Sequence, residues 1–218
     1  MSGELGLRER KKLQTRRQIV ETARRLFGDH GFDSVSVAAI ARAADLSEAT
    51  VFNYFPTKED LVFQGMEVFE TELLAAVQNR PAGQSIVTAF ARFVLQPRGL
   101  LAVDDEDAAR HLAGVSRMIA SSPALLARER EILARYTASL AALITEDTAA
   151  DPNDLRPWVV AHALIGTHQA LIDFVRRHLA DEPADAAWLA REVTARGRRA
   201  LDLLQDGLAG YDLRAAVS

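Results

Sequence analysis

Between Ser47 and Lys58 the chain reads SEATVFNYFPTK, and its polar atoms are of the kind that hold a polyanion. Thr50 and the Tyr54 phenol offer hydroxyls, Asn53 an amide and Lys58 an ammonium, all able to donate to phosphate oxygens. Phe52 carries no hydrogen-bonding atom, so its chemistry is apolar contact with a thymine methyl group or a sugar. Glu48 would repel phosphate, but its carboxylate can accept from a cytosine amino group. The parts of an enzyme are harder to find. His162 and His168 stand six apart, which puts them on different faces of a helix rather than at the i, i+4 spacing of a metal pair. There is no glycine-rich phosphate loop or nucleophile elbow. The acidic run Asp104–Asp107 lacks the spacing of a calcium loop, and the absence of cysteine excludes disulfides and thiolate metal sites. The chain is read as a non-enzyme that needs no cofactor and no metal.

Positioning those side chains requires short helices. The stripe Ile19, Val20, Ala23, Leu26 and Phe27 predicts an amphipathic helix from about Leu7 to His30, closed by Gly31. Ser36 can cap a second helix with Val37, Ile40, Ala41 and Ala44 buried. Asp45-Leu46-Ser47 predicts a tight turn, with Ser47 capping a third helix that Pro56 ends. Val51 and Phe55 are four apart and should hold that third helix down, leaving Glu48, Ala49, Thr50, Phe52, Asn53 and Tyr54 on its other faces. Three short helices, the last two joined by a three-residue turn, are a helix-turn-helix arrangement, whose final helix enters the major groove. Thr57-Lys-Glu-Asp60 predicts the start of a fourth helix reaching about Asn79. Turn signals at Pro81-Ala-Gly83, Pro97-Arg-Gly99, Ser122-Pro123, Asp151-Pro152-Asn153 and Glu182-Pro183 divide the remainder into further helices. No β-branched run alternates at period two, so the fold class is all-α with about nine helices.

Charge supports the same division. The net charge is −4, yet residues 1–27 carry eight basic side chains against three acidic, a local balance of +5. Arg16 and Arg17 belong to this basic end, which suits a polyanion contact on an otherwise acidic body; the plainer alternative is a solvated helix face. With 49% hydrophobic and 26% charged residues the chain reads as globular. The first thirty residues hold no apolar signal core and no eighteen-residue apolar stretch occurs, so a cytoplasmic location without a membrane partner is expected.

The segment GFDSVSVAAIARAADLSEATVFNYFPTKEDLV resembles the DNA-binding part of tetracycline-repressor (TetR) family regulators. Arg25-Leu26-Phe27, Gly31-Phe32, Ser47, Thr50, Val51, Phe52, Tyr54, Phe55, Lys58 and Leu61 stand where that family's pattern places them, over about residues 13–73. The resemblance implies a helix-turn-helix domain at 8–56, with its motif at about 36–55, and a helical ligand-binding and dimerisation domain at 57–210. It puts Ser36, Ser47, Thr50, Asn53, Tyr54 and Lys58 on the phosphate backbone and Glu48, Ala49 and Phe52 near base edges. Two departures stand out: the usual turn glycine is Asp45, and Ala39 replaces an acidic residue often found in the second helix's cap. The implied function is a homodimeric repressor, released from a palindromic DNA operator by a small apolar or amphipathic effector.

In the body, residues 158–175 (WVVAHALIGTHQALIDFV) are apolar nearly all round, so both sides of this helix should be covered. One side would face the subunit core and the other a partner subunit, with Trp158, Gly166, Ala170 and Trp188 at the dimer interface. Phe69, Phe90, Phe93, Val94, Met118 and Tyr136 recur at helical spacing and either line an effector cavity or form plain core. His162, Gln169 and Asp173 could supply its polar contacts. The stretch from Ser121 to Val175 also resembles a C-terminal domain of actinobacterial members associated with acyl-CoA-like ligands. An alternative from another class is a helical small-molecule-binding protein or enzyme whose DNA-binding domain is vestigial.

Overall fold

The computed structural model describes residues 6–96, 101, 106–181 and 185–207. The turn signals at 97–99 and 182–183 and part of the acidic run 104–107 lie outside the described residues. Among those residues there is no strand; the chain forms α1 (Leu7–His30), α2 (Val37–Ala43), α3 (Glu48–Tyr54), a 3-10 turn (Glu59–Leu61), α4 (Met66–Gln78), α5 (Ile86–Val94), α6 (Glu106–Ser121), α7 (Pro123–Thr148), α8 (Arg156–Asp181) and α9 (Ala186–Gly207). The fold is all-α, with a small helix-turn-helix part followed by a larger helical body.

Two compact units result. The first runs as far as Gln64 and takes in Met118–Arg128; the second holds Gly65–Arg117 and the chain from Glu129 onward. In the first, Ile19, Ala23 and Phe27 of α1, Phe32, Ile40 of α2, and Val51 and Phe55 are buried together as its apolar core. The Phe27 and Phe32 rings lie 5.0 Å apart. Three side-chain hydrogen bonds fix the 118–128 segment within this unit: the Ser122 hydroxyl donates to Asp33 at 2.8 Å, and Arg128 donates twice to Asp60 Oδ1, at 3.1 and 2.7 Å.

The turn between α2 and α3 carries Asp45 at φ 53. Leu46 N–H bonds to Ala41 O at 2.9 Å and Asp45 N–H to Arg42 O at 3.2 Å. These are the two closing bonds of a Schellman cap, with an aspartate in the left-handed place usually taken by glycine. Aspartate tolerates that backbone better than most residues, so the geometry survives the substitution. The fourth predicted helix does not run unbroken from 57 to 79. A 3-10 turn comes first, and Gly65 then adopts φ 84 before α4 begins. A left-handed residue breaks an α-helical ladder, which accounts for the split.

In the second unit, α8 packs on α9, α5 on α4 and α9. At Gly197 of α9 the Leu95 side chain, just past α5, comes within 2.3 Å of where a Cβ would stand, so a larger residue there would push that leucine aside. The stretch Arg156–Leu179 has the length and mean hydropathy (1.2) of a membrane-crossing helix, but half of it is buried inside the chain, as a core helix would be. A charged anchor ties the end of α4 and the start of α5 to the last turn of α7. The fully buried Arg80 side chain donates to Val77 O and Gln84 O, each at 2.9 Å, and pairs with the Asp147 carboxylate.

Candidate functional site

Helix α3 is set up by local chemistry. Ser47 accepts from Thr50 N–H at 3.1 Å, capping α3, and its hydroxyl shares a 2.8 Å bond with the Thr50 hydroxyl. One of that pair donates to the other, so together they keep a single hydroxyl proton to offer outward. Ser36 caps α2 in the same way, accepting from Ala39 N–H at 3.1 Å. Val51 and Phe55 are 1% and 2% exposed and seat α3 on the core. Glu48, Ala49, Phe52 and Asn53 then share one exposed face at i, i+1, i+4 and i+5, with Thr50 and Tyr54 half-buried beside it. Phe52 is 44% exposed, an apolar ring held out into water by a helix whose other side is packed.

Arg16 and Lys58 have structural duties of their own. Arg16 donates to Tyr54 O at 3.3 Å and lies over the Phe55 ring at 4.4 Å, tying α1 to the end of α3. The Lys58 ammonium donates to Phe32 O at 3.0 Å and Val35 O at 3.1 Å, and sits 4.1 Å over the Phe32 ring. Two of its three N–H donors are therefore committed to the turn between α1 and α2, leaving one for any phosphate. This anchoring role was not legible from sequence, because the carbonyls it satisfies are 26 and 23 residues away. Arg17 is exposed on α1, with Arg8, Arg10, Lys11 and Lys12 nearer the helix start.

In the second unit the structure gathers part of the expected effector set. Phe69 stacks against Tyr136 (centroids 5.7 Å, planes 22° apart) and against His168 (5.2 Å, 18°), and meets Phe93 edge-on at 5.3 Å. Tyr136 donates to Met66 O at 2.6 Å, while Arg135 and Ser139 both donate to Glu70, at 2.8 and 2.7 Å. Burial, and after it the Glu70 carboxylate, raise the Tyr136 phenol well above its ordinary range, so it stays a neutral donor. Phe90 and Val94 are fully buried core. Met118 groups with the first unit. His162 and Gln169 are not brought to the aromatic cluster: both are exposed on the outer face of α8, where His162 meets the Trp158 ring at 6.2 Å, and Asp173 is half-buried. The inward histidine is His168, six residues on, for six steps of about 100° carry a side chain well round a helix.

His168 is 3% exposed and its Nδ1 has no hydrogen-bond partner. Burial pushes its pKa down from 6.5 to about 4, so the imidazole is neutral at physiological pH. Its folded pKa lies below the unfolded one, so the unfolded chain binds the extra proton and stability falls as pH drops below 6.5. Urea melts across this window should show a loss of about 3 kcal/mol complete near pH 4, and His168→Phe should flatten that component.

The outer faces of α8 and α9 carry exposed apolar groups: Trp158 (45%), Val159 (59%), Trp188 (36%) and Leu203 (73%), with Gly166 and Ala170 exposed on the same stripe of α8 as Trp158. Among the described residues no cluster of three or more His, Asp or Glu side chains could hold a metal ion.

Residues 19–64 match the profile described as bacterial regulatory proteins, tetR family. The HTH-type transcriptional regulator TcmR of Streptomyces glaucescens is 31% identical over 161 residues, spanning 72% of this chain and 71% of that protein. Among solved structures, a SmeT–triclosan complex aligns at TM-score 0.57 and 15% identity, over 94% of this chain and 97% of that one. FadR from Bacillus subtilis in complex with stearoyl-CoA aligns at TM-score 0.51 and 20% identity, over 88% and 98%. At such identities the two structures establish a shared fold.

Proposed function

Because the chain belongs to the tetR family of bacterial regulatory proteins, we propose that this DNA-binding transcriptional regulator is a homodimeric repressor released from a palindromic operator by a small effector. The observation that carries the DNA half is the exposed face of α3, where Glu48, Ala49, Phe52 and Asn53 stand clear of the core on a helix capped by Ser47. Arg17, the Ser36 hydroxyl and the one outward proton of the Ser47–Thr50 pair supply phosphate contacts, with Asn53, Tyr54 and Arg16 beside them, while Lys58 holds the turn before α2. Glu48, Ala49 and Phe52 face base edges. A role on DNA also fits a cytoplasmic location. The discriminating test is binding to the DNA upstream of its own gene: affinity should fall steeply with salt, at a log–log slope of about −0.9 per phosphate neutralised. A shallow slope with no preference over unrelated DNA would overturn the reading.

The dimer rests on the outer stripe of α8 and on Trp188 of α9. A second copy would cover Trp158, Gly166, Ala170 and Trp188 in an isologous contact. Gly166 offers a clean test, since a Cβ there meets nothing within 4 Å in the single chain. Gly166→Leu should therefore leave the subunit folded and shift sedimentation from dimer to monomer, with operator affinity falling by at least about tenfold as paired half-sites are lost. Two proteins of this fold are solved with triclosan and with stearoyl-CoA, which supports a small apolar or amphipathic effector held in the helical body.

A further inference from the structure

The interior of the second unit contains polar atoms that its own packing does not satisfy. His168 Nδ1 and Ser116 Oγ are both buried without a hydrogen-bond partner. Their helices, α6 and α8, meet in one apolar cluster that includes Leu112, Leu171 and Ile172; Ser116 stands one turn from Leu112, and His168 about one turn from Leu171 and Ile172. A leucine or phenylalanine at 168 would fill the same space without leaving a ring nitrogen unmet, so the histidine is costly in the empty chain. Its ring is also one of two that lie nearly parallel to Phe69, the other being Tyr136. Tyr136, His168 and Phe93 are 1%, 3% and 6% exposed, whereas Phe69 is only half-buried. Phe69, which touches the other three, is thus the most exposed ring of the cluster and the one with a path outward.

The charged pair beside Tyr136 is internally compensated. Arg135 is paired with Glu70, and the imidazole itself is neutral. What the cluster offers is flat aromatic faces and a nitrogen that wants one hydrogen bond. A flexible acyl chain would use neither.

We propose that the effector of this regulator is a flat, uncharged aromatic molecule bearing a hydroxyl or carbonyl group, which displaces the Phe69 ring, stacks on Tyr136 and His168, and hydrogen-bonds His168 Nδ1. The inference rests on the reading of the helical body as the effector site and names the ligand class for it. The displaced Phe69 belongs to the first turn of α4, whose Met66 carbonyl accepts the Tyr136 bond, so occupancy of the stack acts on the start of that helix.

The test is isothermal titration of the full chain at neutral pH with two probes, β-naphthol and decanoate. Wild-type protein should bind β-naphthol. Phe69→Ala should bind it about tenfold more tightly, because no ring has to be expelled, and His168→Leu about tenfold more weakly, the size of one lost hydrogen bond. His168→Gln should recover part of the loss, since an amide can replace the imidazole donor or acceptor. Circular dichroism checks that each variant folds; if His168→Leu does not, the gain at Phe69→Ala still decides, since unfolding cannot tighten binding. Equal β-naphthol affinity in all variants, or no β-naphthol binding, would overturn the inference. Binding of decanoate without binding of β-naphthol would overturn it while leaving the effector-binding reading in place. Failure of that wider reading would look different: operator binding by the wild type that no bound probe can release.

Discussion

Asp147→Ala should destabilise the second unit by about 3–5 kcal/mol, the range for removing one partner of a buried ion pair. The Arg80 side chain is 0% exposed and that of Asp147 6%, so the lost carboxylate is not replaced by water. Arg80 would keep its bonds to Val77 O and Gln84 O, but a guanidinium would remain in the interior without its counter-charge. The pair joins three places along the chain: the end of α4, the start of α5 and the last turn of α7. Urea unfolding should report the loss as a lower midpoint with an unchanged slope. Replacing both partners, as Arg80→Met with Asp147→Leu, should recover most of it, because a buried pair is commonly matched by apolar groups of similar volume. A loss below about 1 kcal/mol in the single variant would mean that the site opens to solvent.

Lys58→Met should cost the first unit about 2–4 kcal/mol, combining two charge-assisted bonds to carbonyls with the contact over the Phe32 ring. Methionine keeps the length of the stem, so the loss is that of the ammonium. Phe32 O and Val35 O would lose a buried donor, and the turn that delivers α2 would loosen. Operator affinity should fall as a consequence of that loosening, with little change in the salt slope. The family pattern instead makes this lysine a phosphate contact. On that role Lys58→Met would leave stability nearly intact, weaken every DNA sequence alike and reduce the slope by about one. Thermal melts and salt titrations of the same variant separate the two.

Local signals in the sequence reached far. Ser47 and Ser36 cap the helices their types predict, Gly31 follows the last residue of α1, and the helices at 7–30 and 123–148 begin and end where the turn signals place them. Val51 and Phe55 face inward because a spacing of four is one helical turn. What sequence could not show depends on partners distant along the chain. The attachment of Met118–Arg128 to the first unit is made by Ser122 reaching Asp33 and Arg128 reaching Asp60, and no periodicity encodes that. The Arg80–Asp147 anchor spans 67 positions; NRPAG shows only a turn. The aromatic cluster of the second unit was half legible. Phe69, Phe93 and Tyr136 do converge, yet the phase of α8 turns His168 inward and His162 and Gln169 outward. A helix apolar nearly all round carries no stripe to fix that phase. Apolar groups on both sides were the signal for two buried faces, and the outer one still carries Trp158 and Val159 in the single chain.

Selection of bound duplexes from a random-sequence pool at moderate salt tests the regulatory reading most directly. A dimer presenting two copies of α3 should enrich an inverted repeat whose half-site centres lie about 34–36 Å apart, one duplex turn or a multiple of it. Phe52→Ala should change the bases recovered within each half-site. Recovery of a pool with no enriched repeat, or of one indifferent to Phe52, would contradict the assignment of α3 as the helix that reads DNA.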